Sequence, residues 1–498
     1  MQIPYPLLQT IVVPVIVAGI IALIHSRLGR KTGWVTGACL VYTTALLCLI
    51  GPQIYSGNPI YEEYTWVPIA KLKFGLLADG LSWPVALIMN ITCAALAFYS
   101  INYIDHRIHL LYGREAGSAY YGLYNSFFLL FATGFAGVAF ATNLIMIFLF
   151  IELLLIPLFF IMSYFGYIDR HRVAMMCFLW GVAGGLLFLT GIMIAYAQIG
   201  SFRLSDLPHL VGKPLAFWAC FFMLIGTLVK MAVFGFHVWM PWVHAEHPTC
   251  IAGILADYAN IGTYVIVRVL IQPLYRYFQL FSVPLMAWAL ITMVYGALLT
   301  LAQDDVKRLC ACSTISQISY SLLGIASCTR LGIAGGVFYF LSHCLGKSIL
   351  FSTAGLLVYE TGKRDIRRMG GLAAKMPITA ILWAMGSMIL SAIPLLSGFQ
   401  AEWIMFAGIF RSGVEVTIKL PIAILGILAT ALTAAYTFWP MRRIFFGPLP
   451  DDAGDIKDPP LAMTIPLLLL GVISLLLGIY PKMIMDLFTP YVEGLPIG

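Results

Sequence analysis

The chain has 498 residues, 61% of them hydrophobic and only 10% charged, with a formal charge of +7 at pH 7 and a mean hydropathy of +0.92. Soluble globular proteins carry about 25% charged residues, so this composition excludes a soluble globule and requires a polytopic membrane protein. The positive balance does not signal nucleic acid, because the basic residues sit in short loops between apolar runs rather than on one face.

Apolar runs long enough to cross roughly 30 Å of hydrocarbon fall near 5–24, 34–52, 80–104, 118–140, 143–166, 174–198, 215–245, 250–272, 282–303, 310–328, 331–359, 376–411, 420–442 and 461–486. They predict an all-α fold of about fourteen transmembrane helices. Residues 7–24 have no basic stretch before them and no small-residue cleavage site after them, so they read as a first span and not a signal peptide. Three helices within 1–117 precede two five-helix units, 118–272 and 282–442, and one last helix over 461–486 follows. Segments 215–245 and 376–411 are too long for simple spans and contain Pro241, and Pro394 with Gly398. Proline removes a backbone donor and breaks a helix, so each is predicted to be discontinuous. Each is also fourth in its unit, and an odd number of spans turns the second unit upside down. Inverted repeats with broken helices at matching places point to a transport site near the membrane midplane.

Loop charges give an orientation. Odd-numbered loops hold seventeen lysines and arginines, from Arg27 to Lys457 and including Arg114; even-numbered loops with the C-terminus hold nine, including Lys71. The positive-inside rule then predicts odd loops in the cytoplasm and both termini outside. Loops 52–79 and 443–460 read as surface connections, with no stretch able to house a nucleotide or flavin, so no cofactor is expected. The ten cysteines are scattered, the closest pair being Cys310 and Cys312. No metal-ligand spacing appears, and they read as small apolar filler.

Several ionisable groups lie within or against apolar spans, where a charge costs about 2.5–3.5 kcal/mol on insertion scales and marks an ion pathway by default. Lys230, placed near the middle of its span, can load and release a proton because burial moves an ammonium's proton affinity easily. Glu152 has no polar sequence neighbour and must be protonated or paired; Lys230 is its natural partner, in a pathway or in a purely structural pair. His237, seven residues after Lys230, is expected on the same helix face, as a relay or a satisfied core imidazole. Asp257 and Asn260 share a face of the next span, and Asp257 suits proton transfer or a structural hydrogen bond. His343 and Lys347 lie one turn apart in relay geometry. Glu402 follows the second break and is expected where the Lys230 region stands in the first unit. Arg268 and Arg330 lie near span ends and are expected to snorkel to the interface.

Several segments together carry a family resemblance: Phe74 with Asp79-Gly-Leu-Ser82; Glu152 to Pro157; Lys230-Met with His237, Trp239, Pro241, His244 and Pro248-Thr249; Asp305 to Gln317; and Pro394 to Glu402. Over about 74–442 the chain resembles the antiporter-like membrane subunits of respiratory complex I. It is nearest the subunit M, or chain 4, type, a group similar to subunits of Mrp-type cation/proton antiporters and membrane-bound hydrogenases. The resemblance implies a proton-translocating subunit of a redox-driven pump, without redox chemistry of its own, in a prokaryotic or organelle inner membrane. Its implied partners are other membrane subunits, sister antiporter-like chains among them, the lipid bilayer, and protons or sodium ions. Implied roles are a first charge pair for Glu152 and Lys230, central relays for His237, His343 and Lys347, and a terminal group for Glu402. The family's eighth-helix lysine has its matching place near Asn260, so that position is lost or served by Asp257, and Trp242 replaces an aspartate of the seventh-helix motif. Two other classes fit the sequence: a gradient-driven sodium/proton antiporter subunit using the same residues, and a scaffolding subunit with an inactive channel.

Overall fold

The computed structural model describes residues 4–70, 72–113, 115, 117–450 and 454–497. Lys71 and Arg114 of the loop-charge count lie outside the described residues, as do positions 451–453 of the 443–460 connection. Helices α1 (Pro6–Leu28), α2 (Thr32–Tyr55) and α3 (Ser82–Tyr112) open the chain. Between α2 and α3 lies an element missing from the sequence reading, an antiparallel hairpin of β1 (Ile60–Val67) and β2 (Leu72–Ala78). β1 is rich in the β-branched and aromatic residues that favour a pleated surface.

The first repeat consists of α4 (Ala119–Phe140), α5 (Leu144–Phe165), α6 (Arg170–Ile199), a broken span of α7 (Ala216–Lys230) and α8 (Met240–Glu246), and a fifth span. That fifth span runs through α9 (Thr249–Asn260), α10 (Gly262–Val265), a π-helical stretch Ile266–Ile271 and α11 (Gln272–Phe278). The second consists of α12 (Ser282–Leu301), α13 (Val306–Ala326), α14 (Arg330–Thr361), a broken span of α15 (Pro377–Leu390) and α16 (Ser397–Phe410), and α17 (Val416–Phe446). The predicted last helix 461–486 divides at Tyr480-Pro481 into α18 (Leu461–Ile479) and α19 (Lys482–Glu493). Among the described residues ten apolar segments are long enough to cross a membrane, two of them holding two crossings each, and the broken spans open with shorter apolar helices. The chain is an integral membrane protein with about fourteen crossings, as expected.

Contacts between loops sort the molecule into two faces. On one, which we call the basic face, Arg107 reaches the carbonyls of Phe165 and Gly166, Lys307 that of His247, and Arg364 pairs with Glu246 and Asp305. On the other, the hairpin face, Glu62 accepts from the amides of Leu7 and Leu8 near the N-terminus, and Arg330 reaches the carbonyl of Ile497 near the C-terminus. Both termini therefore share one face.

The inversion is visible in the backbone. On the hairpin face Leu144 N donates to Phe202 O (2.9 Å) and Leu204 N to Thr142 O (3.0 Å); on the basic face Val306 N donates to Arg364 O (2.9 Å) and Ile366 N to Asp304 O (2.8 Å), every partner displaced by 162 residues. The breaks match too. Met231 N donates to Thr227 O and Ser391 N to Ser387 O, both at 2.9 Å. Ala232 and Ala392 share φ 51, and Gly235 (φ 92) corresponds to Leu395 (φ 78). Left-handed φ at non-glycine residues costs energy, so the same kink kept twice marks the breaks as designed features. Helices α9, α13 and most of α14 are buried on all sides, and a helix with no lipid-facing side is free to carry polar residues throughout.

Candidate functional site

Lys230 ends α7, so its ammonium stands at the first break and not in mid-helix. Its Nζ donates to Glu152 Oε1 (3.1 Å), to Gly181 O (2.9 Å) and to Tyr258 Oη (3.4 Å). The side chains are 8% and 20% exposed. A buried ion pair costs several kcal/mol of desolvation per ion and persists only with good geometry and added hydrogen bonds; the carbonyl and the phenol supply the latter. Room for the pair comes from α6. A Cβ on Gly185 would lie 2.3 Å from Glu152 Oε1, so any side chain there would displace the carboxylate from its present position. Beside Lys230 lies a cavity of about 20 Å³, reaching Ile151, Thr227, Tyr258 and Gly262, enough for one water molecule.

In the second repeat, acid and base stand apart. Lys347, fully buried on α14, donates to Cys310 O (3.1 Å) and makes a short hydrogen bond to the Ser313 hydroxyl. Among the described residues it has no carboxylate partner. Glu402 on α16 accepts from the Thr430 hydroxyl (2.6 Å), and that oxygen lies 3.4 Å from Tyr320 Oη. Tyr320 reaches Thr433 (3.3 Å), and Gln317 Nε2 donates to Thr433 (3.2 Å) and Tyr436 (2.7 Å) while its Oε1 accepts from Tyr339 (2.6 Å). Ser313 is one turn before Gln317 and Tyr339 one turn before His343. A hydroxyl and amide network thus runs from Gln317 and Tyr339 to Glu402, and stops one helical turn short of Ser313 and His343. The sequence reading missed Tyr320, Tyr339, Thr430, Thr433 and Tyr436; the density of Ser, Thr and Gln in α13 was the available signal.

Glu402 does not hold Lys230's register. The 160-residue offset of the breaks places Leu390 opposite Lys230 and Trp242 opposite Glu402. Nor does His237 share Lys230's face, because the helix has ended between them. It sits in a 3-10 turn, its Nδ1 accepting from Gly235 N (3.2 Å) and its Nε2 3.2 Å from Tyr295 Oη on α12. Asp257 and Asn260 are fully buried on α9. Among the described residues neither oxygen of Asp257 has a well-aligned partner, and a polar neighbour is the Cys344 thiol on α14. Asn260 faces α13, 3.5 Å from Ser321 Oγ. His343 is buried with both ring nitrogens unpartnered among the described residues, as is His244 on α8, a residue the sequence reading left without a role. His244 stands against Phe351 (ring centroids 5.6 Å apart) and within electrostatic reach of His343 and Lys347.

Arg268 does not snorkel. It is 5% exposed, and its Nη2 contacts both carboxylate oxygens of Asp79 at 2.7 Å. Gln272 accepts from Arg268 (3.2 Å) and from Tyr491 of α19 (2.9 Å), whose ring lies 5.5 Å from the guanidinium. A buried cation within the π-helical stretch is held by three separate parts of the chain.

The family model described as NADH:quinone oxidoreductase/Mrp antiporter, transmembrane, matches residues 141–433, more than half of the chain. The chain belongs to this family. Members similar to it include F(420)H(2) dehydrogenase subunit M of Methanosarcina mazei, 29% identical over 87% of this chain and 86% of that protein. NAD(P)H-quinone oxidoreductase chain 4 1 of Synechococcus elongatus is 30% identical over 95% and 88%. NADH-quinone oxidoreductase subunit M of Rickettsia felis is 29% identical over 93% and 91%. The fold matches chains in the Mrp complex of Dietzia (TM-score 0.86, 20% identity, 99% of both chains) and in respiratory complex I of Thermus thermophilus (0.85, 23%, 98% of both). The family resemblance in the sequence is thus borne out, and these relatives are subunits of multi-subunit membrane complexes.

Proposed function

We propose that this chain is a proton-translocating, antiporter-like subunit of a complex I-type redox-driven pump, working beside sister membrane subunits. The observation that carries the reading is the Lys230–Glu152 ion pair, enclosed beside a water-sized cavity and followed by polar groups on the most buried helices. In this reading the basic face is cytoplasmic. Electron transfer elsewhere in the complex opens or closes the pair, and the change in geometry alters how tightly Lys230 holds its proton. A change worth about 2.3 kcal/mol moves one proton against 100 mV. The proton then passes the central groups, Asp257, His343 and Lys347, and the hydroxyl network carries it to Glu402 for release. His237, turned toward Tyr295 at the junction of the repeats, serves as a side relay.

The test is Lys230→Ala in the assembled parent complex, turned over with the donor it oxidises. Proton release per electron is expected to vanish while electron transfer continues in part. A normal proton-to-electron ratio in that variant refutes the role.

A further inference from the structure

The two repeats are joined across the basic face by charge. Glu246 ends α8, the second half of the first broken span, and its Oε1 lies 3.4 Å from Nη1 of Arg364. Arg364 follows closely on Thr361, the last residue of α14, the helix that carries His343 and Lys347. Its Nε lies 2.8 Å from Oδ2 of Asp305, the cap of α13, whose Oδ1 accepts from the amides of Lys307 (2.9 Å) and Arg308 (3.0 Å). Among the described residues that Nε has no aligned acceptor, so charge and not a directed hydrogen bond holds Asp305. One arginine thus sits between a carboxylate of each repeat, all three side chains being less than a third exposed.

Both ends of this contact lead to a buried lysine. Behind Glu246, α8 has only seven residues and is set between two non-helical joints, the kink after Lys230 with Ala232 at φ 51 and Pro248 at ψ 139. A short rigid piece between two joints moves as a unit. Its end is also held by Lys307 Nζ, which donates to His247 O (2.6 Å), and by the amides of Tyr167 and Asp169, which donate to Glu246 O (3.0 Å) and Oε2 (3.4 Å). Behind Asp305, α13 presents Cys310 O and Ser313 Oγ, the partners of Lys347. Covalent or direct contact therefore runs unbroken from the span of Lys230 to the groups that hold Lys347.

The repeat symmetry shows that the backbone does not need these charges. At the offset of 162 residues Asp305 corresponds to Asn143 and Arg364 to Phe202, and the same junction forms there on the hairpin face. Asn143 caps α5 by accepting from Met146 N (2.8 Å). The segment matching Glu246, Phe406-Ala407-Gly408, is uncharged. One junction is neutral; the other is ionic and reaches across to the opposite repeat. Taking charges out of water costs free energy, so a triad that the backbone can do without has another use.

We propose that Arg364 is a positioning residue for translocation, fastening the end of the first broken span to the second repeat so that the state of the Lys230–Glu152 pair is passed to Lys347. This rests on the translocation reading above. As the pair opens or closes, α8 shifts, and Glu246 carries Arg364 and Asp305 with it. The start of α13 follows, and with it the Cys310 and Ser313 groups around the Lys347 ammonium. Coupling of two sites requires an element with two states that both sites bias; the pair supplies the states and the arginine the link. Without the link the pair still switches, Lys347 does not respond, and the pump slips.

The test measures proton release per electron and the electron-transfer rate in the intact complex with Arg364→Gln, Arg364→Lys, Arg367→Gln and Lys230→Ala. Coupling between sites is typically worth about fivefold or more, so Arg364→Gln is expected to cut proton release per electron about fivefold with electron transfer near native. Arg364→Lys, which keeps the charge, should retain most of the native ratio. Arg367 is the control: it pairs with Asp304 and Asp365, both within the second repeat, and is 57% exposed, so Arg367→Gln should pump normally. A native ratio in Arg364→Gln with Lys230→Ala inactive overturns the link alone. Equal losses in Arg364→Gln and Arg364→Lys overturn it as well, because packing and not charge would then matter. Should Arg364→Gln fail to assemble, Glu246→Gln decides, since it keeps the Arg364–Asp305 contact; a native ratio there overturns the link. Normal pumping by Lys230→Ala overturns the translocation reading itself.

Discussion

The two repeats share a backbone and differ in how they hold charge. In the first, both buried cations are matched to a carboxylate, Lys230 to Glu152 and Arg268 to Asp79. In the second, Lys347 has backbone and hydroxyl partners, and Glu402 is reached through tyrosines and threonines. An ion pair has two distinct states, closed and open, with a large energy between them. A hydroxyl network passes a proton in small steps without separating charge. In the proposed mechanism the first repeat acts as a switch and the second as a conductor, built on one kink geometry used twice.

The comparison breaks most visibly at the pairs. Glu152→Gln leaves Lys230 buried and uncompensated, which costs about 3–5 kcal/mol, and thermal unfolding should show it alongside lost pumping. Adding Lys230→Met should recover most of the stability and none of the pumping; recovery of both would make the pair structural. Asp79→Asn should destabilise by a similar amount at neutral pH. Burial pushes the Asp79 carboxyl up, but the Arg268 guanidinium and the Ser82 hydrogen bonds outweigh it and hold it below its ordinary value. A depressed folded value gives stability that is present above the unfolded value and lost as pH falls through the folded one. The melting difference between Asp79 and Asp79→Asn should therefore narrow below about pH 4, and a constant difference would contradict the assignment.

Smaller changes sharpen the contrast. Gly185→Ala drives a methyl into Glu152, and overpacking of this kind costs about 1–3 kcal/mol; pumping should fall more than stability. Thr430→Val removes one hydrogen bond to Glu402, worth about 0.5–1.5 kcal/mol. It should slow proton release several-fold with Thr430→Ser near native. Equal effects of both Thr430 variants would mean that packing, not the hydroxyl, matters there.

Much of this was legible in sequence. Apolar runs gave fourteen crossings, and prolines located both breaks, because a bilayer permits few other solutions. Periodicity failed where the helix stopped: it carried Lys230's face forward to His237 across a turn it could not see, and placed Glu402 in the wrong register. Arg268 was read as snorkelling because its distance from the span end was visible and Asp79, nearly two hundred residues away, was not. The hairpin was overlooked in a connection judged only by its lack of apolar length. Hydroxyl networks were invisible for a simpler reason: tyrosine and threonine are common in membrane helices, and only packing shows which of them meet.

The closing segment has a bearing on biogenesis. Tyr491, a few residues from the end of the chain, shares Gln272 with Arg268 and covers the guanidinium, while Tyr55 near the start reaches the carbonyl of Met483. During synthesis the spans enter the bilayer one after another, so Arg268 waits with an incomplete cage until α19 arrives. Truncation of α19 should leave a chain inserted with all its spans yet recognised by membrane quality control as unfinished.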